Sequence, residues 1–338
     1  MRVGLWAAGS WLLLLAGCRA PTDVTPELAA SEPAAELPPL DEAAPATDAD
    51  VAAGSAGGSP DSEPAAARAA QGSGGERAVC DAEPVTSDEL HSGRVKLGAS
   101  VALGPLLASS QKFLVSEAKS GSCLWGAFAA DPERVGARSG VFLVSFGAAR
   151  VGGAPCAPGA DGLPDDLAPG DRLSAQGTLE GYAPAACGAV SPALQLRVNV
   201  ACPVLREGVG PAPRAAALDF PTAARLAAGT DAALLRDWGG ALVRLEAASA
   251  VQDPDDHDAV FPFGVLKLEQ TPLEVHSRLQ YFDLSGAGPR DVAKAWSYPY
   301  PSRFESLTGI VFLDYCSWVL APRDHCADLA PSGRGCGG

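Results

Sequence analysis

From residue 94 onward, apolar and polar side chains alternate with a period of two. Val95, Leu97, Ala99, Val101 and Leu103 share one parity, while Arg94, Lys96, Gly98, Ser100 and Ala102 share the other. Successive side chains of a strand point to opposite faces, so this alternation predicts a half-buried strand. Lys112 to Ser116 and Cys123 to Ala130 offer further strand material. The run Gly140 to Phe146 is apolar on both parities, as expected of a central strand or one covered by a loop. After a Pro/Gly/Asp loop, Leu173, Ala175, Gly177 and Leu179 alternate with Arg172, Ser174, Gln176, Thr178 and Glu180. Leu194, Leu196, Val198 and Val200 then alternate with Gln195, Arg197 and Asn199. Five or six strands within about 110 residues predict a small closed barrel rather than a sandwich. A second module begins with a short helical stretch, Asp231 to Asp237, followed by a strand over 241–250. The expected fold is mainly β: two small barrels in tandem, 80–205 and 231–330, separated by a linker, 206–230, and ended by a tail, 331–338.

The first 79 residues follow a different pattern. Arg2 precedes a short apolar run, Leu5 to Ala16, which ends at Leu15-Ala16-Gly17-Cys18. The run falls short of the roughly 20 apolar residues that a membrane span needs, and reads instead as an export signal. Small residues before a cysteine resemble the bacterial lipoprotein box. That resemblance implies that Cys18 is acylated and becomes the mature N-terminus, anchoring the chain through hydrocarbon rather than through a spanning helix. Arg19, where an Asp would signal retention, implies the outer membrane. Residues 19–79 show no apolar periodicity and are rich in Ala, Pro, Gly, Ser and acid. Such a segment buries too little apolar surface to offset its ordering entropy, so it is expected to be a disordered tether.

Composition narrows the function. The 338 residues carry 40 Asp and Glu against 25 Lys and Arg, a net charge of −15. Eleven acids and three bases fall in 19–79, so about half of the excess belongs to the expected tether. The remaining acidity disfavours a general nucleic-acid binder, which needs a basic face to collect phosphates. The residues that could form a local basic face are Lys112, Lys119, Arg134, Arg138 and Arg150. Of nine cysteines, one is assigned to lipid. Cys80, Cys123, Cys156, Cys187, Cys202, Cys316, Cys326 and Cys336 remain as disulfide candidates. An even number in an exported domain predicts up to four bridges, and no C-x-x-C spacing points to zinc or redox chemistry. Five of these cysteines lie in 80–202 and three in 316–336, so full pairing requires at least one bridge between the groups.

Order of motifs adds a resemblance. Gly140-Val141-Phe142-Leu143-Val144 is followed by Pro169-Gly170-Asp171-Arg172-Leu173, then by Ala175-Gln176-Gly177-Thr178-Leu179-Glu180-Gly181-Tyr182, then by Leu194-Gln195-Leu196. In the second module, Trp238-Gly239-Gly240-Ala241-Leu242-Val243-Arg244-Leu245 precedes Leu307-Thr308-Gly309-Ile310-Val311. Trp318, Leu320, Pro322, Arg323 and Asp328 close it. This series is similar to the OB-fold repeats that accompany bacterial extracellular nucleases. The resemblance implies tandem OB-like barrels, with Gly177 allowing the sharp coil that closure requires. It does not extend to the nuclease catalytic domain, and residues 282–302 form a Gly/Pro/Tyr-rich insertion outside the pattern.

Candidate chemistry is sparse. Asp253-Pro254-Asp255-Asp256-His257-Asp258 is a dense acid cluster; it lacks EF-hand spacing and reads as a solvated hairpin tip rather than a cation loop. His276 is expected to point outward beside Glu274. Asp324, His325 and Cys326 are adjacent, but an oxidised cysteine is no nucleophile. Trp125, Phe128, Phe142 and Phe146 either fill a barrel interior or form a stacking face. Trp296, Tyr298 and Tyr300 alternate around prolines in an expected loop that either recognises a partner or packs over the second barrel. The expectation is a non-enzymatic, lipid-anchored envelope protein with a binding or scaffolding role, no cofactor and no metal. Its partners would be the membrane and an unidentified protein or glycan. The alternative is a nucleic-acid-binding accessory of an extracellular nuclease.

Overall fold

One strand plan is built twice along the chain. The computed structural model describes residues 80–117, 123–147, 150–151, 154–155, 159, 161–183, 187, 190–252, 260–261, 264–280, 302–324 and 326–331. All lie within one compact unit spanning 72–338. The expected signal and tether, Cys18 included, fall outside the described residues.

The first plan opens with β1 (Glu83–Pro84) and α1 (Ser87–His91). It continues through β2 (Ser100–Ala108), β3 (Phe113–Glu117), β4 (Cys123–Ala130) and β5 (Gly140–Gly147). A small ribbon of β6 (Arg150–Val151) and β7 (Ala154–Pro155) follows, then β8 (Asp171–Tyr182), β9 (Ala193–Val198) and β10 (Leu205–Val209). β2 pairs with β4, β4 with β5, β5 with β9, β9 with β8, and β8 returns to β2, so five strands close a ring. Only the β5–β9 pairing within it is parallel.

The second plan opens with β11 (Ala216–Ala217), α2 (Phe220–Ala227) and an additional helix, α3 (Ala232–Trp238). β12 (Leu242–Ser249), β13 (Val260–Phe261), β14 (Val265–Leu266) and β15 (Val275–His276) follow, then β16 (Arg303–Asp314), β17 (Ser317–Ala321) and β18 (Leu329–Pro331). β12 pairs with β16, β16 with β17, β17 in parallel with β15, and β15 with β14. An Ala250–Leu268 bridge, with Val251 N donating to Lys267 O at 2.8 Å, returns β14 to β12.

The two plans agree in register as well as in order. Val101 of β2 stands between Glu83 of β1 and Gly177 of β8. Val243 of β12 stands between Ala216 of β11 and Gly309 of β16. Three residues after Glu83, Thr86 caps α1 by accepting from Glu89 N; three after Ala216, Asp219 caps α2 by accepting from Thr222 N. Val85 N donates to Ala102 O and Leu218 N to Arg244 O, both at 2.9 Å. Gly177 and Gly309 are the matching close approaches. A Cβ at the first would sit 2.3 Å from Arg197 O, and at the second 2.8 Å from Leu320.

Each ring has its own apolar interior. Leu103, Leu143, Leu173, Ala175, Leu179 and Leu196 fill the first. Leu226, Val243, Leu245, Leu307, Val311, Trp318 and Leu320 fill the second, with α2 packed over it. Period-two alternation placed Leu103, Leu173, Ala175, Leu179 and Leu196 correctly. The stretch 206–230, expected as a linker, contains most of β10 together with β11 and α2, and Leu218, Ala223 and Leu226 are buried. Its apolar residues are too few and too scattered to register as a pattern until β11 lies against β12. The alternation from Val95 also overstates the first strand. Gly98 takes a φ of +88° and its N–H donates to Leu179 O, so Leu97 turns out to solvent and β2 begins at Ser100.

Candidate functional site

The apolar run Gly140 to Phe146 is explained by a second core between the rings. Val141 and Leu143 face the interior of the first ring. Phe142 and Val144 face outward with Leu124 and Phe128 of β4 and Phe113 and Val115 of β3. They meet Leu242 of β12, Ile310 and Phe312 of β16, and Val319 and Ala321 of β17. Phe128 and Phe142 stack with centroids 4.5 Å apart. Phe312 stands edge-on to Phe128 at 5.4 Å and to Phe142 at 5.6 Å. The strand is covered by the other ring, not by a loop. Of the four aromatics expected to fill a barrel or form a stacking face, Trp125 is interior and Phe128 and Phe142 lie at this junction. Phe146 is 51% exposed beyond its edge.

The docking is one-sided, and the matched register shows why. Where β16 and β17 present Ile310, Phe312, Val319 and Ala321, the equivalent positions of the first ring are Thr178, Glu180, Gln195 and Arg197. There Arg197 pairs with Glu180 at 3.0 Å and Gln195 donates to Glu180. Likewise Glu274 and His276 stand where the first ring has Phe142 and Val144. One ring therefore offers the apolar face and the other the apolar cover.

Polar contacts ring this junction. Arg138 pairs with Asp237 at 2.9 Å, Arg278 Nη2 donates to Val115 O at 2.5 Å, and Arg323 Nη1 donates to Ser109 O at 3.5 Å. His91 of α1 places Nδ1 2.5 Å from Arg236 O and Nε2 2.8 Å from Gly140 O. Burial pushes its pKa down, although both carbonyls and the nearby Asp237 oppose that shift. The Cys187–Cys316 disulfide joins the two rings directly, while Cys80–Cys202 ties the start of the described chain to the end of the first. Cys123 and Cys326 are also disulfide-bonded; Cys156 and Cys336 lie outside the described residues.

A polar cluster occupies the outer face of β15. His276 points outward from the ring beside Glu274, as expected, but is partly buried there. Its Nδ1 lies 3.0 Å from Asp314 Oδ2 and its Nε2 3.2 Å from Glu274 Oε2. Burial works against the imidazolium, but hydrogen bonds and charge from Asp314 and Glu274 outweigh it and raise the pKa. Arg278 Nε lies 3.6 Å from Asp314 Oδ1, and its guanidinium is 5.9 Å from the Tyr315 ring. Tyr315 takes a φ of +51° at the β16–β17 turn and is 75% exposed. Its neighbour Cys316 holds that turn through the disulfide.

The basic face does not assemble. Lys112 is buried: Nζ lies 2.6 Å from Asp161 Oδ2, contacts Asp165 Oδ1, and sits 4.9 Å from the Trp125 ring centroid. Arg134 pairs with Asp88 at 3.2 Å, and Arg138 with Asp237 as above. Lys119 and the Arg150 side chain lie outside the described residues, as do Asp253–Asp258, His325, Trp296, Tyr298 and Tyr300. Near His325, Asp324 Oδ1 accepts from Cys326 N and Ala327 N, which makes it a turn cap. Asp328, in the closing motif, is forked by Arg323 at 2.6 and 2.9 Å. Compared with known proteins, the chain matches no family model and no curated protein sequence.

Proposed function

We propose that this chain is a lipid-anchored envelope protein whose two rings are OB-like barrels acting as a non-enzymatic binding or scaffolding module. Support for the OB reading comes from the five-strand ring order, repeated with its single parallel pairing. Support for an exported, oxidising compartment comes from the disulfides Cys80–Cys202 and Cys187–Cys316. The lipoprotein-like Leu15 to Cys18 supplies the anchor, and 19–79 the spacer.

The observation that carries the scaffolding reading is the burial of the outer β4–β5 face. OB barrels bind strands of nucleic acid or sugar on that face, and here Phe312, Ile310 and Val319 fill it. The paired arginines and buried Lys112 argue against phosphate binding for the same chain. Both nitrogens of His91 and of His276 are engaged, which leaves neither imidazole for activating a nucleophile.

Two measurements test this reading. Cys18→Ala should move the protein from the membrane to the soluble fraction; unchanged fractionation removes the anchor. Filter retention of single-stranded DNA and RNA should be negligible at low salt. Retention that is strong at low salt and lost at high salt would instead establish the nuclease-accessory alternative.

A further inference from the structure

Lys112 immediately precedes β3, and its ammonium is fully buried. Nζ donates to Asp161 Oδ2 at 2.6 Å, to Leu163 O at 3.2 Å and to Asp165 Oδ1, all from the stretch between β7 and β8. The Asp161 side chain is fully buried as well, whereas that of Asp165 is 42% exposed. The Trp125 ring covers the ammonium, with its centroid 4.9 Å from Nζ. Trp125 Nε1 is buried and has no hydrogen-bond partner among the described residues. A Cβ on Gly147 would lie 3.2 Å from Trp125 Nε1 and 3.5 Å from Asp161 Cβ, so only a glycine stands beside the indole and the aspartate there.

This cluster is a reactive arrangement as well as an ion pair. A contact of 2.6 Å from Nζ to a carboxyl oxygen puts the carboxyl carbon at about 3–3.5 Å, the separation of a near-attack pair. Rotation about the soft Cβ–Cγ torsion turns the face of the carboxyl to the nitrogen. Burying two opposite charges away from water is costly, and joining them as a neutral amide removes that cost. Exclusion of water also protects the product from hydrolysis. The competing backbone nucleophile is occupied: Gly162 N, next to Asp161, donates to Ser145 Oγ at 2.8 Å. Leu163 N donates to Asp161 Oδ1 at 2.8 Å, in place to hold charge that develops on that oxygen.

We propose that Lys112 and Asp161 condense to an isopeptide bond that clamps the start of β3 to the loop before β8, with Asp165 as the proton carrier. One ammonium proton passes to Asp161 Oδ2, which leaves an amine and a carboxylic acid. The Nζ lone pair attacks Cγ, and Oδ1 becomes an oxyanion held by the Leu163 N–H. Asp165 takes a second proton from the nitrogen and returns it to Oδ2. The Cγ–Oδ2 bond breaks, the Cγ–Oδ1 double bond re-forms, and water leaves. An ammonium and a carboxylate thus become an amide and one water, with no oxidant, cofactor or further reactant. Asp165 suits the transfer because it touches Nζ and also reaches solvent. The bond survives reduction, unlike the disulfides, and does not depend on the OB reading or on lipid at Cys18.

Tandem mass spectrometry of the reduced, alkylated full chain after trypsin tests it, and the parent protein alone gives the answer. Trypsin does not cut after a lysine in amide linkage. Residues 97–119 should therefore be recovered as one peptide joined to 151–172, lighter by one water than the two together. Asp165→Asn, which keeps the shape of the proton carrier but not its basicity, should lose the joined peptide. The proposal is overturned if the parent yields 97–112, 113–119 and 151–172 as separate peptides. It is equally overturned if water is lost while the peptides separate, because that marks a succinimide at Asp161-Gly162. A joined peptide in Asp165→Asn at the level of the parent overturns the role of Asp165.

Discussion

Gly140 and Gly240 meet backbone to backbone across the two rings: a Cβ built on Gly140 would lie 2.0 Å from the Gly240 carbonyl carbon. Gly240 itself holds a φ of +80° and its N–H donates to Val311 O. Replacing Gly140 with Ala should therefore push the rings apart. The expected cost is about 3 kcal/mol or more, at the upper end for overpacking. Calorimetric melting and small-angle scattering of Gly140→Ala check both the loss and the separation. An unchanged melting temperature would show that the rings do not depend on this approach.

The aromatic junction predicts a coupling energy. Phe142→Ala and Phe312→Ala should each cost about 3–5 kcal/mol, because each removes a ring from a filled core. The double variant should cost less than the sum by about 0.5–1.5 kcal/mol, the contribution of an edge-to-face pair beyond burial. Denaturant unfolding of the four proteins measures this. Simple additivity would mean that the two rings do not touch in solution.

The two described histidines should set opposite pH limbs. His276 holds a raised pKa, so its contribution is fully present below the unfolded value of about 6.5 and is lost as pH rises through the folded value. His91 holds a lowered pKa, so its contribution is present above about 6.5 and declines as pH falls towards the folded value. Melting temperature measured from about pH 5 to about pH 9 should pass through a maximum. His276→Gln should flatten the alkaline limb and His91→Gln the acidic one. A limb that responds to the other substitution would reverse the assignment.

The inter-ring bridge should stabilise the whole body. Cys187 and Cys316 are 129 residues apart in sequence, and loops of roughly that length give about 4.7 kcal/mol in the chain-entropy treatment, with about 2–5 typical of native bridges. Removing both with Cys187→Ser and Cys316→Ser should lower the unfolding midpoint. Non-reducing peptide mapping should recover Cys187–Cys316 and Cys80–Cys202 as linked peptides; recovery of these four as free thiols contradicts the arrangement.

Much of each ring was legible because alternation is a local property. Leu173, Ala175 and Leu179 of β8 and Leu196 and Val198 of β9 lie inside as their parity requires. The duplication was harder to read. The residues that match in register differ in identity: Glu83 and Ala216 share a strand position, Thr86 and Asp219 a capping role. The candidate sites were less visible still. His276 with Asp314, Lys112 with Asp161 and Arg138 with Asp237 are 38, 49 and 99 positions apart. No periodicity links them, and only strand order brings them together.

The sequence alone determined that the chain is mainly β, where most strands run, and that full pairing of the eight cysteines requires a bridge between those of 80–202 and those of 316–336. These follow from parity and counting, which act over a few residues or over none. Tertiary structure decided which apolar face met which. Phe142 and Phe128 were apolar in any arrangement; only the second ring's Phe312 made their face an internal junction. A hydrophobic residue encodes a preference for leaving water, without direction, and the partner is chosen by the shape of the surface that reaches it.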